Sequence, residues 1–470
     1  MYRSVALDAL RGFAIITMIL SGRIPFGTLP GWMYHVQVPP PLHKFNPSLA
    51  GISWVDLVFP FFLFAMGAAF PIALSKRLEK GDTYYKIISQ IFTRGALLAF
   101  FAVVLQHIRP WSMAKNPGVY EYIVALAGFV ALFLIFWRFP DSFSKNLKLW
   151  LRVAGFTAII AILYFVKFPD GSGFKFNRYD IIILVLANVS VFGSLIWLFT
   201  KNNILLRLGI MALLFAFRLS SPVENEWINE AAKLQSSGWL FNVNFLKYLF
   251  IVIPGTIAGD FILQFAKLRK EEIILNAGLT KQTQIFLTVL MFLFTVVSLV
   301  GLYTRDVFET TLVGVLLSAG GYLLFRYSGK LNEYEKITFE IYKWSVFFFI
   351  LGLFLEPFEG GIKKDHSTMS YYFLTSGLAG FMFTGFSFLF DIFKKEKYLS
   401  LLISNGQNPM LIYGANQNLL TPVIGLIALD SLLVPLTGNM WLGALRGLFY
   451  TLILAYFTAI CTKYKIYWRS

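Results

Sequence analysis

The sequence predicts an all-α fold, a polytopic bundle of about 12 to 14 membrane-spanning helices with both termini cytoplasmic. Three observations carry that prediction. Of 470 residues, 57% are hydrophobic and 14% charged, against about 25% charged in an ordinary soluble protein. The apolar residues fall into windows of span length separated by short polar connections. The basic residues collect in alternate connections, as in Lys76-Arg77-Leu78-Glu79-Lys80 and Lys267-Leu268-Arg269-Lys270, where they set orientation.

The windows run near 4–22, 54–75, 87–108, 118–138, 147–167, 180–200, 203–219, 239–266, 283–303, 310–326, 338–356, 369–393, 404–428 and 444–462. They leave no room for a separate soluble domain, so residues 1–470 read as one integral membrane domain. With the amino terminus inside, the connections at 76–86, 138–152, 267–281, 326–336 and 394–397 are cytoplasmic. Together with the termini they carry roughly twice the Lys and Arg of the opposite set. The net charge of +16 is therefore topological rather than a footprint for nucleic acid. Asp8 and Arg11 interrupt the first apolar run, which has no clear cleavage site and is expected to remain as a span. Cys461, the single cysteine, excludes an intrachain disulfide.

Three clusters carry chemistry. The first is Asp8-Ala-Leu-Arg11-Gly12, an acid and a base on one helical face early in the first span. Ionised groups there pair with one another or line a wet cavity. A structural clamp and a functional pair are both compatible with this spacing. Arg94 lies at similar depth in the third span, and with Arg11 it offers an anion site open to the cytoplasm.

The second cluster runs from His43 through Gly51 and Ser53 to Asp56 and Pro60. Asp56 falls at the amino-terminal end of a helix, where a carboxylate is favoured by unpaired N–H groups. Alternatively, it orients a nearby imidazole, with His43 as general base. All four histidines, His35, His43, His107 and His366, fall at or near the outer face. None has the close spacing of a ligand pair, and no metal is expected.

The third cluster is Gly406-Gln-Asn408-Pro409 through Tyr413 and on to Asn416, Gln417 and Asn418. Gly and Pro break an apolar stretch there. Such a break either lines a cavity or simply places Pro409 in the first turn of a helix capped by Asn408.

These clusters resemble the heparan-α-glucosaminide N-acetyltransferase family of transmembrane acyltransferases, and especially its bacterial members that carry an uncharacterised domain. The resemblance rests on Asp8-Ala-Leu-Arg11-Gly12, on His43, and on Gly51-Ile-Ser53-Trp-Val-Asp56-Leu-Val-Phe-Pro60 through Gly67. It continues with Ser370-Tyr371 through Thr375 to Ala379, and with Gly406-Gln-Asn408-Pro409-Met-Leu-Ile-Tyr413. It covers roughly 4–108 and 366–462, whereas about 140–340 has no counterpart and adds helices. Ser21 stands where the family pattern has Asn, and the loop before Asp56 is longer than expected, which makes His35 the alternative active histidine.

The resemblance implies acyl transfer across a membrane, from acetyl-CoA on the cytoplasmic side to an amino sugar or other glycan on the outer side. It casts His43 as base or acetyl carrier and Asp56 as its orienting group. Arg11, Arg94 and Asp8 would then bind the donor, and Asn408, Tyr413 and Ser370 the acceptor or an oxyanion. It also implies the bacterial inner membrane and a homodimer. Two other readings compete. A secondary transporter would show paired broken helices, whereas only the break at Gly406 to Pro409 is evident. An inactive acyltransferase-like protein would bind no CoA.

Overall fold

The computed structural model describes residues 4–27, 29–233, 242–270, 278–436 and 439–470. Parts of two expected connections, 271–277 and 234–238, lie outside them. The architecture is all-helical. Its principal helices are α1 (Val5–Ser21), α2 (Trp54–Glu79), α3 (Tyr84–His107), α4 (Val119–Phe136), α5 (Lys145–Phe165), α6 (Ile181–Thr200), α7 (Ile204–Ser220), α8 (Leu249–Lys270) and α9 (Lys281–Thr304). The chain continues through α10 (Val307–Tyr327), α11 (Glu333–Leu355), α12 (Met369–Ser387), α13 (Ser400–Gln407), α14 (Pro409–Ala415), α15 (Thr421–Leu426), α16 (Leu429–Leu436) and α17 (Met440–Lys463). Eleven helices among the described residues are long and apolar enough to cross a membrane, or 12 if the bent run Pro409–Leu426 plus Leu429–Pro435 counts as one span. The difference from the upper expectation lies in α1 and α7, each only 17 residues long.

Burial sorts these helices into a centre and a rim. Every residue of α12 is buried, and this helix packs against α1, α2, α8, α9 and α11. At the rim, α5 buries only Gly155 and Ile159. Along α9 the exposed side chains Phe286, Val289, Leu293, Val296 and Val300 recur at helical spacing, the stripe that a helix turns toward lipid. An apolar face of this kind, ruinous in water, is satisfied by the bilayer.

Close backbone approach fixes the part of the bundle that matters most here. A Cβ on Gly12 would stand 1.8 Å from the Leu402 carbonyl oxygen, and one on Gly406 would stand 1.7 Å from that of Asp8. Thus α1 and α13 cross with their backbones touching, which only glycine permits. The chain then breaks: α13 ends at Gln407, Pro409 takes the first turn of α14, and a π-helical turn covers Asn416–Leu420. Extra turns of this kind often occur at functional sites.

Two further features hold the frame. Arg207 is fully buried between α6, α7 and α8, and its guanidinium donates to Asp260 (2.7 Å), the Thr200 side chain and carbonyl, and Thr256 (each 3.1 Å). With that many donors matched, it acts as a structural clamp. At the chain's end, the Arg138 N–H donates to the Tyr467 carbonyl and the Arg469 N–H to that of Phe136. Trp468 is thereby set among Phe101, Phe129, Phe133 and Phe136. The last residues therefore lie at the same end of the bundle as the start of α1, since Arg11, Arg469 and Ser470 line one cavity.

Candidate functional site

Asp56 occupies the third position of α2, where its Oδ2 accepts from the Ser53 N–H (3.0 Å) and hydroxyl (3.1 Å) and lies 3.4 Å from the Val36 N–H. The capping expected of it is present. Its other oxygen, Oδ1, lies 2.7 Å from Nδ1 of His35. The carboxylate is almost fully buried, whereas the His35 side chain is 38% exposed. A buried anion against Nδ1 fixes the proton there and leaves the lone pair on Nε2. Lys364 Nζ stands 3.1 Å from that Nε2, 2.9 Å from Nδ1 and 4.0 Å from Asp56 Oδ1. Nearly equidistant from the two ring nitrogens, the lysine nitrogen lies against the ring rather than on the Nε2 lone-pair axis. Burial pushes the Lys364 ammonium below its ordinary pKa, with Asp56 and Asp365 pulling the other way.

The pairing expected between Asp56 and His43 is not formed. His43 turns inward, its Nε2 within 3.0 Å of the Gly27 N–H and 2.9 Å of its carbonyl. Its ring is held edge-on between Phe26 and Tyr34, and its φ of 48° places it in the left-handed region. His43 is thus a loop-packing residue in this structure. Spatially, the dyad is His35–Asp56.

Midway along α2, Phe62, Met66 and Ala69 line a cavity of about 340 Å³. Arg11, Arg94, Tyr413 and Arg469 line it as well, so the two arginines singled out in the sequence converge. Arg11 is held by Asp8 (3.4 Å) and by the carbonyls of Gly406 (3.1 Å) and Ala65 (3.4 Å). Arg94 is exposed into this space. Among the described residues no carboxylate is placed in hydrogen-bonding contact with it. A guanidinium at membrane depth with no protein anion is equipped for an external one. Asp8 therefore acts on the cavity through Arg11.

Two other expected contacts go elsewhere. Asn408 does not face the cavity: its Nδ2 donates to the Ile466 carbonyl (2.7 Å) and its Oδ1 accepts from the Trp468 N–H (3.1 Å). It straps down the chain's last residues, and its side chain does not cap α14. Ser370 is fully buried at the start of α12, its N–H donating to Glu359 and its hydroxyl to Thr368. Tyr413 does reach the cavity and donates to Asp180 at 3.0 Å. Among the remaining histidines, His107 is buried against Phe168 and Phe174, and His366 meets Phe45. Among the described residues there is no group of His, Cys, Asp and Glu that could hold a metal ion.

Lys364, Asp180 and Arg109 were not evident from sequence. Lys364 and Arg109 are charges in connections, a setting that ordinarily means solvation, Asp180 stands at the start of a span as its cap, and only the fold brings each to its partner.

Residues 3–262 match the family described as Domain of unknown function (DUF5009). The chain is also similar to curated heparan-alpha-glucosaminide N-acetyltransferases. The Mus musculus protein is 24% identical over 184 residues, 35% of this chain and 26% of that protein. The Homo sapiens protein is 25% identical over 122 residues, 25% of this chain and 16% of that protein. The chain thus spans 26% or less of the length of these curated relatives.

Proposed function

The chain belongs to the family described as Domain of unknown function (DUF5009), and from that premise we propose that it is a transmembrane acyltransferase. It takes an acetyl group from acetyl-CoA on the cytoplasmic side and delivers it to an amino sugar or other glycan acceptor on the outer side of a bacterial inner membrane. Both termini are cytoplasmic in this reading, and the working form is a homodimer. The partial similarity to N-acetyltransferases supports the reaction class.

One observation carries the reading further: a single helix, α2, presents a carboxylate–histidine pair at one end and an arginine-lined cavity along its middle. The donor's phosphates suit Arg94 and Arg11, with Arg469 beside them. At the other end, Lys364 shows that an amine fits within hydrogen-bond distance of His35 Nε2. In the transfer step the neutral acceptor amine attacks the thioester carbonyl while Nε2 removes one of its protons. The C–N bond forms, the C–S bond breaks, and the departing thiolate regains that proton from the imidazolium. Asp56 stays ionised and steadies the charged ring. A positioned base of this kind contributes about 10²- to 10⁴-fold.

The test is transfer of radiolabelled acetyl from acetyl-CoA to a panel of amino sugars by the purified protein in detergent. Transfer abolished by His35→Ala and retained by His43→Ala is the expected result. Transfer that survives His35→Ala would remove the proposed base. Absence of both transfer and CoA binding in the wild type would return the weight to the transporter reading.

A further inference from the structure

The connection between α11 and α12 is short and polar, yet it is held at many points. Arg305 donates to Glu356 at 2.7 Å, and the Gly51 N–H donates to the Ile362 carbonyl at 2.8 Å. Glu359 accepts from the N–H groups of Met369 and Ser370, both at 2.7 Å, and so holds the first turn of α12. Lys363 and Thr368 close the turn between them: the Lys363 N–H donates to the Thr368 hydroxyl and the Thr368 N–H to the Lys363 carbonyl, each at 3.0 Å. The buried Gln37 grips Asp365 from both sides. Its Oε1 accepts from the Asp365 N–H at 2.8 Å, and its Nε2 donates to the Asp365 carbonyl. Lys364 therefore stands between two anchored neighbours, and the backbone delivers its side chain to one place.

That place is the open side of the dyad. Nζ lies 2.9 and 3.1 Å from the two nitrogens of His35, against the ring. A lysine placed to neutralise Asp56 would reach it at about 2.7–2.9 Å. Instead the carboxylate is 4.0 Å away, and among the described residues no carboxylate oxygen is placed nearer. The Lys364 side chain is 21% exposed, beside an imidazole that is 38% exposed. An amine is thus held where it meets whatever approaches Nε2. Burial favours its neutral form, the form that acts as a nucleophile.

We propose that Lys364 is a self-acetylation site, taking the acetyl group on Nζ when no acceptor amine is present. This rests on the acetyl-transfer function proposed above. The neutral amine attacks the thioester carbonyl, the N–C bond forms and the C–S bond breaks. One of the two amine protons passes to His35 Nε2 and from there to the departing thiolate. The products are an acetylated lysine and the free thiol. Lysine's flexible four-carbon stem lets Nζ swing from the ring face to the Nε2 lone pair. The new amide persists, removes the ammonium from beside the imidazole and occupies the place of an acceptor amine, so the idle protein caps its own site.

The purified full chain in detergent is incubated with isotopically labelled acetyl-CoA and no sugar at mildly alkaline pH, and the label is mapped by mass spectrometry. CoA binding and transfer to amino sugars are measured on the same preparation. Lys364 should gain hydroxylamine-stable label ahead of the exposed Lys44 and Lys115, and an excess of amino sugar should suppress it. His35→Ala should slow the labelling by about 10²-fold or more. Gln37→Leu releases Asp365 without altering Lys364 or His35; with CoA binding retained, it should bring the labelling of Lys364 down toward that of Lys44. A chain that acetylates sugars while Lys364 labels no faster than Lys44 overturns the proposal, as does labelling that His35→Ala leaves unchanged. A chain that neither transfers acetyl nor binds CoA refutes the acyltransferase reading itself, and acetic anhydride, which needs no enzyme, then decides the site: Lys364 reacting ahead of Lys44 keeps it as an acyl-accepting amine, and Lys364 reacting behind Lys44 discards it.

Discussion

Replacing Asp56 with Asn changes one atom's chemistry and separates the two duties of that carboxylate. Oδ2 faces donors only: the Ser53 N–H, the Ser53 hydroxyl and the Val36 N–H. An asparagine must keep its carbonyl oxygen there, because turning the amide would set its NH2 against those donors. The NH2 group then points at His35 Nδ1, which now has to accept. The ring proton moves to Nε2, and the lone pair proposed to take the acceptor's proton is gone. The helix cap survives, so the stability lost is about one charge-assisted hydrogen bond, 1.5–3 kcal/mol. The loss in kcat is that of a positioned base, about 10²- to 10⁴-fold.

Donor affinity should not follow. Phe62, the first residue of α2 on the arginine cavity, lies six positions beyond Asp56, about 9 Å along the axis. The assay is kcat for acetyl transfer measured beside the Kd for CoA on the same preparation. A kcat within threefold of wild type would refute the role of the dyad, and a Kd rising in step with the fall in kcat would show that the substitution acts by disturbing the bundle.

Four further outcomes are expected. Arg94→Gln removes a guanidinium for which no carboxylate partner is placed among the described residues and should weaken CoA binding about 10- to 100-fold, the equivalent of one charge-assisted hydrogen bond; calorimetry at two salt concentrations checks this, with the smaller salt dependence in the variant. Lys364, lowered from its ordinary 10.5 chiefly by burial, keeps its charge at low pH and loses it as pH rises through the lowered value. While charged, that ammonium repels the imidazolium formed when Nε2 takes the acceptor's proton, so the rate should rise with pH below 10.5 as the charge is lost, a rise that vanishes in Lys364→Arg, and a wild-type rate flat over that range would detach the lysine from the step. Gly406→Ala sets a methyl 1.7 Å from the Asp8 carbonyl oxygen, so α1 and α13 must part; a stability loss of about 1–3 kcal/mol should appear in thermal melts together with weaker CoA binding, because Arg11 loses its bond to the Gly406 carbonyl. His43→Ala removes a ring packed on Phe26 and Tyr34, and should lower the melting temperature while leaving transfer measurable.

Spans, the break at Gly406 to Pro409, and the convergence of Arg11 with Arg94 are all legible in the sequence, because each follows from a local rule. Hydrophobic length makes a span, proline and glycine end one, and ionised groups at membrane depth seek each other or water. The choice between two histidines follows no local rule. Nearness along the chain favours His43, yet closing a somewhat longer loop costs only a few tenths of a kcal/mol more. The decision falls to what surrounds each ring: His43 fits between two aromatic rings in the left-handed backbone region, whereas His35 meets the one buried oxygen of Asp56 that the helix cap leaves over.

Asn408 illustrates the same limit from the other side. Its amide looks like a cavity contact because polar neighbours follow it, but both of its ends are taken by the backbone of Ile466 and Trp468, about sixty residues away in the chain. The one signal for such a strap is a buried tryptophan near the carboxy terminus, which needs something to hold it in place. Lys364, over three hundred residues from His35, carries no signal at all. Side chains that complete a site from distant connections are chosen by the packed bundle, so the sequence reveals which helices build the site well before it reveals which loop residues finish it.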